Sequence, residues 1–86
     1  MSKYQVIILP AAQRQLNKLP DQIAIVLVQS IQHLSVNPRP AGYIKLKGRS
    51  GYRIREGNYR IIYEIHDRQV RIDIVAVGDR KDVYDL

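Results

Sequence analysis

Arg53, Arg55 and Arg60 fall within one short stretch, GYRIREGNYRIIYEI, residues 51–65. Guanidinium is planar, permanently charged and forks onto two oxygens at once, so a cluster of arginines suits phosphate. Where such groups clamp a phosphate whose charge rises in a transition state, each can supply ~3 kcal/mol, by analogy with oxyanion-hole donors. The same cluster also suits an anion-binding surface without chemistry, or salt bridges to a partner's acidic segment. Near the end of the chain, Arg80 and Tyr84 add a fourth cation and a ring that can stack on a base or take part in proton transfer. Other chemistry finds little support. His33 and His66 belong to a helix and to a turn at the far end of the expected sheet, which argues against a two-histidine acid–base pair. Asp79, Asp82 and Asp85 are spaced by three, but Arg80 and Lys81 lie among them and they read as solvated acids rather than metal ligands. There is no glycine-rich phosphate loop and no nucleophile elbow. No cofactor and no metal is expected.

The charge distribution agrees with a polyanion surface. The chain has 86 residues and a formal charge of +6. Between Tyr43 and Arg60, six basic residues (Lys45, Lys47, Arg49, Arg53, Arg55, Arg60) against Glu56 alone leave +5. Lys45, Lys47 and Arg49 are therefore candidate RNA- or phosphate-binding residues beside the arginines. A solubilising face or a surface for an acidic protein remains open on charge alone. No cysteine is present, which removes disulfides and thiolate metal sites and fits a reducing compartment. The longest apolar run, IAIVLV at 23–28, is far short of the ~20 residues of a membrane span. MSKYQVIILP lacks the layout of a signal peptide. A cytoplasmic protein without membrane contact is expected.

Hydrophobic periodicity supplies the elements that must position these groups. KYQVIIL, residues 3–9, reads as a strand. Pro10 opens a helix with Ala11, Ala12, Leu16 and Leu19 on its buried side. Pro20 ends it and opens a second, with Asp21 in the first turn and Ile23, Leu27, Ile31 and Leu34 on one face. Asn37-Pro38 with Pro40 stops that helix. From Tyr43 the period becomes two: strands are expected at 43–47, 52–56 and 59–65, with Gly57-Asn58 as a two-residue hairpin turn. That turn sets Glu56 against Tyr59, Arg55 against Arg60 and Arg53 against Ile62. Asp67-Arg68 as a second two-residue turn would set Ile65 against Val70, Tyr63 against Ile72, Ile61 against Ile74 and Tyr59 against Ala76, with Glu64 facing Arg71. One sheet face (Tyr52, Ile54, Tyr59, Ile61, Tyr63, Ile65, Val70, Ile72, Ile74) would then lie under the helices, and the other would carry the arginines. The fold class is α+β: an N-terminal strand, an α-helical hairpin, then a four-stranded antiparallel sheet with a short C-terminal tail, in a single domain spanning 1–86. Like charges opposite one another destabilise a sheet, so the Arg55–Arg60 pair needs a reason from outside the chain.

The order of elements, with YRIREGNYRIIYEI followed by VAVGDRKDVYDL, resembles the RelE/ParE toxin superfamily over essentially the whole chain, its RelE-like branch in particular. LPAAQRQLNKLP and NPRPAGYIKLKG also resemble that family's helix start and its helix-to-sheet connection. The resemblance implies a RelE-like fold and the toxin of a type II toxin–antitoxin system. It implies a ribosome-dependent, metal-independent mRNA endonuclease that enters the 30S A site, among mRNA and rRNA, and cuts the codon there by attack of the RNA's own 2′-hydroxyl. By position, Arg60 would hold the scissile phosphate, Arg80 would stabilise charge near the leaving oxygen, and Tyr84 would stack on or orient the cleaved nucleotide. Arg53 and Arg55 stand where the best-known RelE pattern has lysines. Arginine is effectively always protonated, so both are read as electrostatic and the general base is unassigned. The family also implies a cognate antitoxin, in a hetero-oligomeric complex that binds DNA through the antitoxin. The alternative within the superfamily is a ParE-like inhibitor of DNA gyrase without nuclease activity.

Overall fold

The computed structural model describes residues 3–79. A short strand, β1 (Gln5–Ile8), leads into α1 (Pro10–Asn17) and α2 (Asp21–Val36), followed by β2 (Ile44–Lys45), β3 (Tyr52–Glu56), β4 (Tyr59–His66) and β5 (Arg71–Asp79). Pro10 sits in the first turn of α1, where its missing N–H costs no helical bond. Asp21 occupies the first turn of α2 and Leu27, Ile31 and Leu34 form its buried stripe. Helix α2 ends at Asn37, whose side-chain carbonyl accepts from the Arg39 N–H at 3.2 Å.

The sheet has five strands in the order β1-β5-β4-β3-β2. The four-stranded antiparallel sheet of the sequence reading is thus extended by the N-terminal strand, which runs parallel to β5 with Gln5 beside Arg71 and Ile8 beside Ile74. Parallel neighbours need a long crossover, and the α-hairpin together with the later strands supplies it. Strand β2 is shorter than expected and pairs only Ile44 with Arg53 and Lys45 with Tyr52.

The β3–β4 hairpin has the expected register: Glu56 faces Tyr59, Arg55 faces Arg60 and Arg53 faces Ile62. Gly57 takes φ +61° while Asn58 keeps negative φ, the pattern of a type II′ turn with glycine first. The β4–β5 register differs from the expected one. Asp67–Gln69 form a 3-10 turn closed by Val70 in the left-handed conformation, φ 50°, with its N–H donating to Asp67 C=O at 3.1 Å. The longer turn moves the pairing by two residues, so Ile65 faces Ile72 and Tyr63 faces Ile74. An even shift keeps each side chain on its expected face. Val70 itself leaves the inner face and is 38% exposed.

A bulge then interrupts β5. Tyr63 faces Ile74 but Ile62 faces Ala76, leaving Val75 as the extra residue. Beyond it Ile61 faces Val77, Arg60 faces Gly78 and Tyr59 faces Asp79, correcting the expected Ile61–Ile74 and Tyr59–Ala76 pairs. Val77, rather than Ala76, therefore joins the core under the helices with Ile61, Tyr63, Ile72, Ile74, Ala12, Leu16, Leu27, Ile31 and Leu34. Ile62 and Ala76 form a smaller cluster on the other face, covered by Leu46 and Val75. Gly51 permits that cover, because a Cβ there would stand 3.1 Å from the Tyr63 carbonyl oxygen.

Polar contacts fix the ends of the fold. The Tyr63 hydroxyl donates to Pro38 C=O at 2.8 Å, and burial pushes its pKa up to about 12. Arg39 Nη2 reaches Asp67 Oδ2 at 2.9 Å and the Tyr4 hydroxyl donates to Asp67 Oδ1 at 2.7 Å. These two bonds hold the Asp67 carboxyl below the usual carboxylate range.

On α1, Gln15 Oε1 accepts the Val77 N–H at 2.7 Å. Strand β1 has ended by that point, so this side chain replaces the strand partner that the Val77 amide would otherwise lack. Gln15→Ala should cost ~1–3 kcal/mol, the penalty for a buried donor left unsatisfied. Urea denaturation would read that loss as a lower midpoint with an unchanged slope.

Candidate phosphate-binding surface

Alternation along β3 and β4 puts Arg53, Arg55 and Arg60 on the sheet face opposite the helices. Arg55 and Arg60 are cross-strand partners, which sets their Cβ atoms about 4.5–5.5 Å apart. Arg53 lies diagonally from Arg60, opposite Ile62. Their burial is graded: Arg55 is exposed, Arg53 half-buried and Arg60 only 7% exposed. The one acid of the basic segment does not share this face. Glu56 pairs with Tyr59, and its carboxylate accepts from the Ser30 hydroxyl on α2. The sequence counts Glu56 among the arginines, whereas the fold turns it towards the helices.

Beside the arginines, Ala41, Gly42, Ile44, Arg53, Ile54 and Arg55 line a cleft of about 370 Å³. That volume lies in the range of small-ligand sites. The cleft follows the part of β3 that the short β2 does not cover, since β2 reaches only Tyr52 and Arg53. Sequence reasoning missed it, because a strand at 43–47 would have filled the space.

Lys45, Lys47 and Arg49 do not gather with the arginines. Lys45 pairs with Tyr52 and its Nζ lies 5.4 Å from that ring's centroid, on the helix side of the sheet. Lys47 and Arg49 are exposed on the 46–51 connection, at the end of β3 away from the Gly57-Asn58 turn. Arg80 and Tyr84 lie outside the described residues. The last described residue, Asp79, faces Tyr59, so β5 runs out at the hairpin end that carries Arg55 and Arg60.

Of the two histidines, only His66 keeps away from this corner. His33, exposed on α2, lines a second cleft together with Ser30, Ile54, Arg55 and Glu56. His66 ends β4 six residues from Arg60, a separation of about 20 Å along an extended strand. Its neighbours were not foreseen: Glu64 faces Asp73 instead of the expected Arg71, which faces His66. His66 Nε2 lies 3.2 Å from Asp73 Oδ2 and 3.7 Å from Glu64 Oε1. Arginines are permanently protonated, so this set suits holding and polarising an anion rather than withdrawing a proton.

A mixed sheet with two covering helices and an arginine face defines a small α+β toxin fold, and residues 6–84 match the family model of the ParE toxin of type II toxin–antitoxin systems. The chain belongs to that family, within the RelE/ParE superfamily, and its relatives are of the RelE type. It is 32% identical over 83 residues to toxin RelG of Mycobacterium tuberculosis, covering 94% of this chain and 95% of the relative. The toxin–antitoxin complex RelBE2 of M. tuberculosis contains a chain that superposes with a TM-score of 0.84 at 30% identity, over 93% of this chain and 94% of its own length. The RelE–RelB complex of Pyrococcus horikoshii gives 0.80 at 28% identity, over 91% and 96%. The protein is a toxin of a toxin–antitoxin system with a RelE-like fold. Among the described residues, no helix is long and apolar enough to cross a membrane.

The Arg55–Arg60 pair supplies a direct test of this face. Arg55→Glu should place opposite charges across the hairpin and raise stability by about 0.5–1 kcal/mol at low salt. The gain should shrink in 1 M salt, where the Debye length falls to about 3 Å. Denaturation midpoints of Arg55→Glu and Arg55→Gln at both salt concentrations would separate charge from packing.

Proposed function

We propose that this toxin is a ribosome-dependent mRNA endonuclease, acting in the cytoplasm on the codon in the 30S A site. The observation that carries the reading is the set of three permanently charged guanidiniums on one sheet face, in a chain whose relatives are RelE-type toxins. In the reaction, the RNA 2′-oxygen bonds to the adjacent phosphorus and the P–O5′ bond breaks. The 5′ oxygen leaves with a proton, and a 2′,3′-cyclic phosphate remains. Charge on the non-bridging oxygens rises along this path, which is where fixed cations act most strongly.

Arg60 holds the scissile phosphate. Its burial in the central strand keeps it from swinging away as charge develops. Arg53 and Arg55 make the potential around that phosphate more positive, and Arg80 stabilises the leaving oxygen. Tyr84 orients the nucleotide by stacking. Lys47 and Arg49 contact the RNA backbone further along, while Lys45, turned to the helix side, contributes little. The general base is left unassigned among Tyr84, a ribosomal group and no positioned base at all. The partner in the resting state is a cognate antitoxin, by analogy with the similar RelBE2 and RelE–RelB structures, which are toxin–antitoxin complexes. An acidic or amphipathic segment of it would neutralise the arginine face, and the hetero-oligomer would meet DNA through the antitoxin.

The second reading is inhibition of DNA gyrase without RNA cleavage, favoured by the match to the ParE toxin model. Primer extension on a defined mRNA, with purified ribosomes stalled at an empty A site, separates the two. A new cut inside the A-site codon is expected, falling ~100–1,000-fold with Arg80→Ala or with Arg60→Gln. Gln is chosen at position 60 because Ala would leave a cavity beneath a residue so deeply placed. Intact mRNA at excess folded protein, with gyrase supercoiling blocked instead, would replace the first reading with the second.

A further inference from the structure

At the opposite end of the arginine face, three side chains converge with no role in the proposed RNA chemistry. Glu64 and His66 project from β4 and Asp73 from β5, and one ligand-type atom from each lies within 4.8 Å of the other two. We propose that Glu64, His66 and Asp73 form a binding site for one divalent transition-metal ion of the zinc class.

The distances fit a shared metal ion. Zinc bonds of ~2.0–2.1 Å in a tetrahedron set neighbouring donor atoms about 3.3 Å apart. His66 Nε2 stands 3.2 Å from Asp73 Oδ2 and 3.7 Å from Glu64 Oε1, close to that edge length. Yet no aligned hydrogen bond joins Nε2 to either oxygen, although the atom is shielded from solvent. An imidazole nitrogen that approaches two carboxylates without bonding to them is arranged for a shared cation. An imidazole among carboxylates selects zinc, cobalt or nickel over magnesium and calcium, which prefer oxygen alone.

The surrounding groups orient the ligands as second-layer partners do in metal sites. The Ser50 hydroxyl donates to Glu64 Oε2 at 3.0 Å, leaving Oε1 turned towards His66. Arg71 Nε donates to Asp73 Oδ1 at 3.0 Å, leaving Oδ2 turned the same way, its contact with Arg71 Nη2 being long at 3.4 Å. Glu64 thus has one oxygen occupied from outside and one presented inward, while Arg71 reaches both oxygens of Asp73 and holds Oδ2 only by the longer contact. Asp73 is well packed, with its side chain 13% exposed, while Glu64 and His66 are about one-third exposed. Arg71 offsets one of the two acids, so the site attracts a divalent ion without holding a large bare charge. Three protein ligands leave a fourth position for water or for a ligand from another molecule.

The ion would clip β4 to β5 below the bulge and, through Ser50, reach the connection that carries Lys47 and Arg49. The inference does not depend on RNA cleavage. Its test is titration of the purified full chain with Co²⁺ and Zn²⁺, read by visible absorption, by calorimetry and by thermal unfolding. One ion per chain is expected, with the d–d bands of four-coordinate cobalt and an unfolding temperature that rises with free zinc. His66→Gln, Glu64→Gln and Asp73→Asn should each weaken binding at least tenfold, while His33→Gln should leave it unchanged. Circular dichroism of each metal-free variant confirms that the fold is retained. Binding that survives His66→Gln, or is lost equally in His33→Gln, would place the ligands elsewhere and overturn the inference. No zinc-dependent shift in the wild-type chain would reduce the three side chains to an ion-pair network.

Discussion

Everything in this fold is referred to β4, a strand enclosed on both faces. Arg60, Ile61, Ile62 and Tyr63 are consecutive and all buried. Burial on one face alone would make the strand alternate, whereas here the helices cover Ile61 and Tyr63 while Leu46 and Val75 cover Ile62. A strand packed on both sides cannot slip by one residue without exposing one apolar row and burying another. Arg60 is held by the same constraint, as a guanidinium carried by the most deeply buried run of β4. Its cross-strand partner Arg55 is exposed and free to adjust. The pair thus combines a fixed cation with an adaptable one, an arrangement suited to meeting a phosphate that arrives from outside.

Two like charges facing each other across a hairpin repel, although Arg60 also has interactions within its own chain. A sheet selected for stability alone would set an acid opposite Arg60, and Glu56 is only one residue from the required place. The fold instead turns Glu56 to the helix side, where Ser30 holds it. The retained repulsion is understandable if a polyanion is the normal occupant of the face. RNA in action and antitoxin at rest would relieve it by the same physics.

Local signals in the sequence carried the reading furthest. The Gly57-Asn58 turn is two residues long and flanked by strict alternation, so the register that sets Arg55 against Arg60 followed directly. Both helices were legible from Pro10, Pro20 and the Leu27–Ile31–Leu34 stripe. Non-local pairing was not: nothing in QVII announces that it will lie beside Arg71–Ile74. The β4–β5 register failed because valine is a poor candidate for a left-handed turn residue, yet Val70 adopts that conformation and lengthens the turn. The bulge at Val75 has no glycine to mark it. The missed turn at Val70 hid the Glu64–His66–Asp73 cluster, since a pairing shifted by two residues had set Glu64 against Arg71. The charge count also overlooked the two sides of the sheet, and so credited Lys45 to a face it does not share. Arg80 and Tyr84 lie outside the described residues, and their roles rest on the resemblance alone.

The central claim is that Arg53, Arg55 and Arg60 each engage RNA phosphate, and the salt dependence of binding measures it most directly. Affinity for mRNA-programmed ribosomes with an empty A site would be determined across a range of monovalent salt, for the wild-type chain and for Arg53→Gln, Arg55→Gln and Arg60→Gln. Each arginine that neutralises a phosphate contributes about 0.7 to the slope of log affinity against log salt on single-stranded RNA. Each variant is predicted to show a slope shallower by about that amount. Slopes equal to that of the wild type in all three variants would contradict the claim, and would leave the arginine face as a surface for something other than RNA.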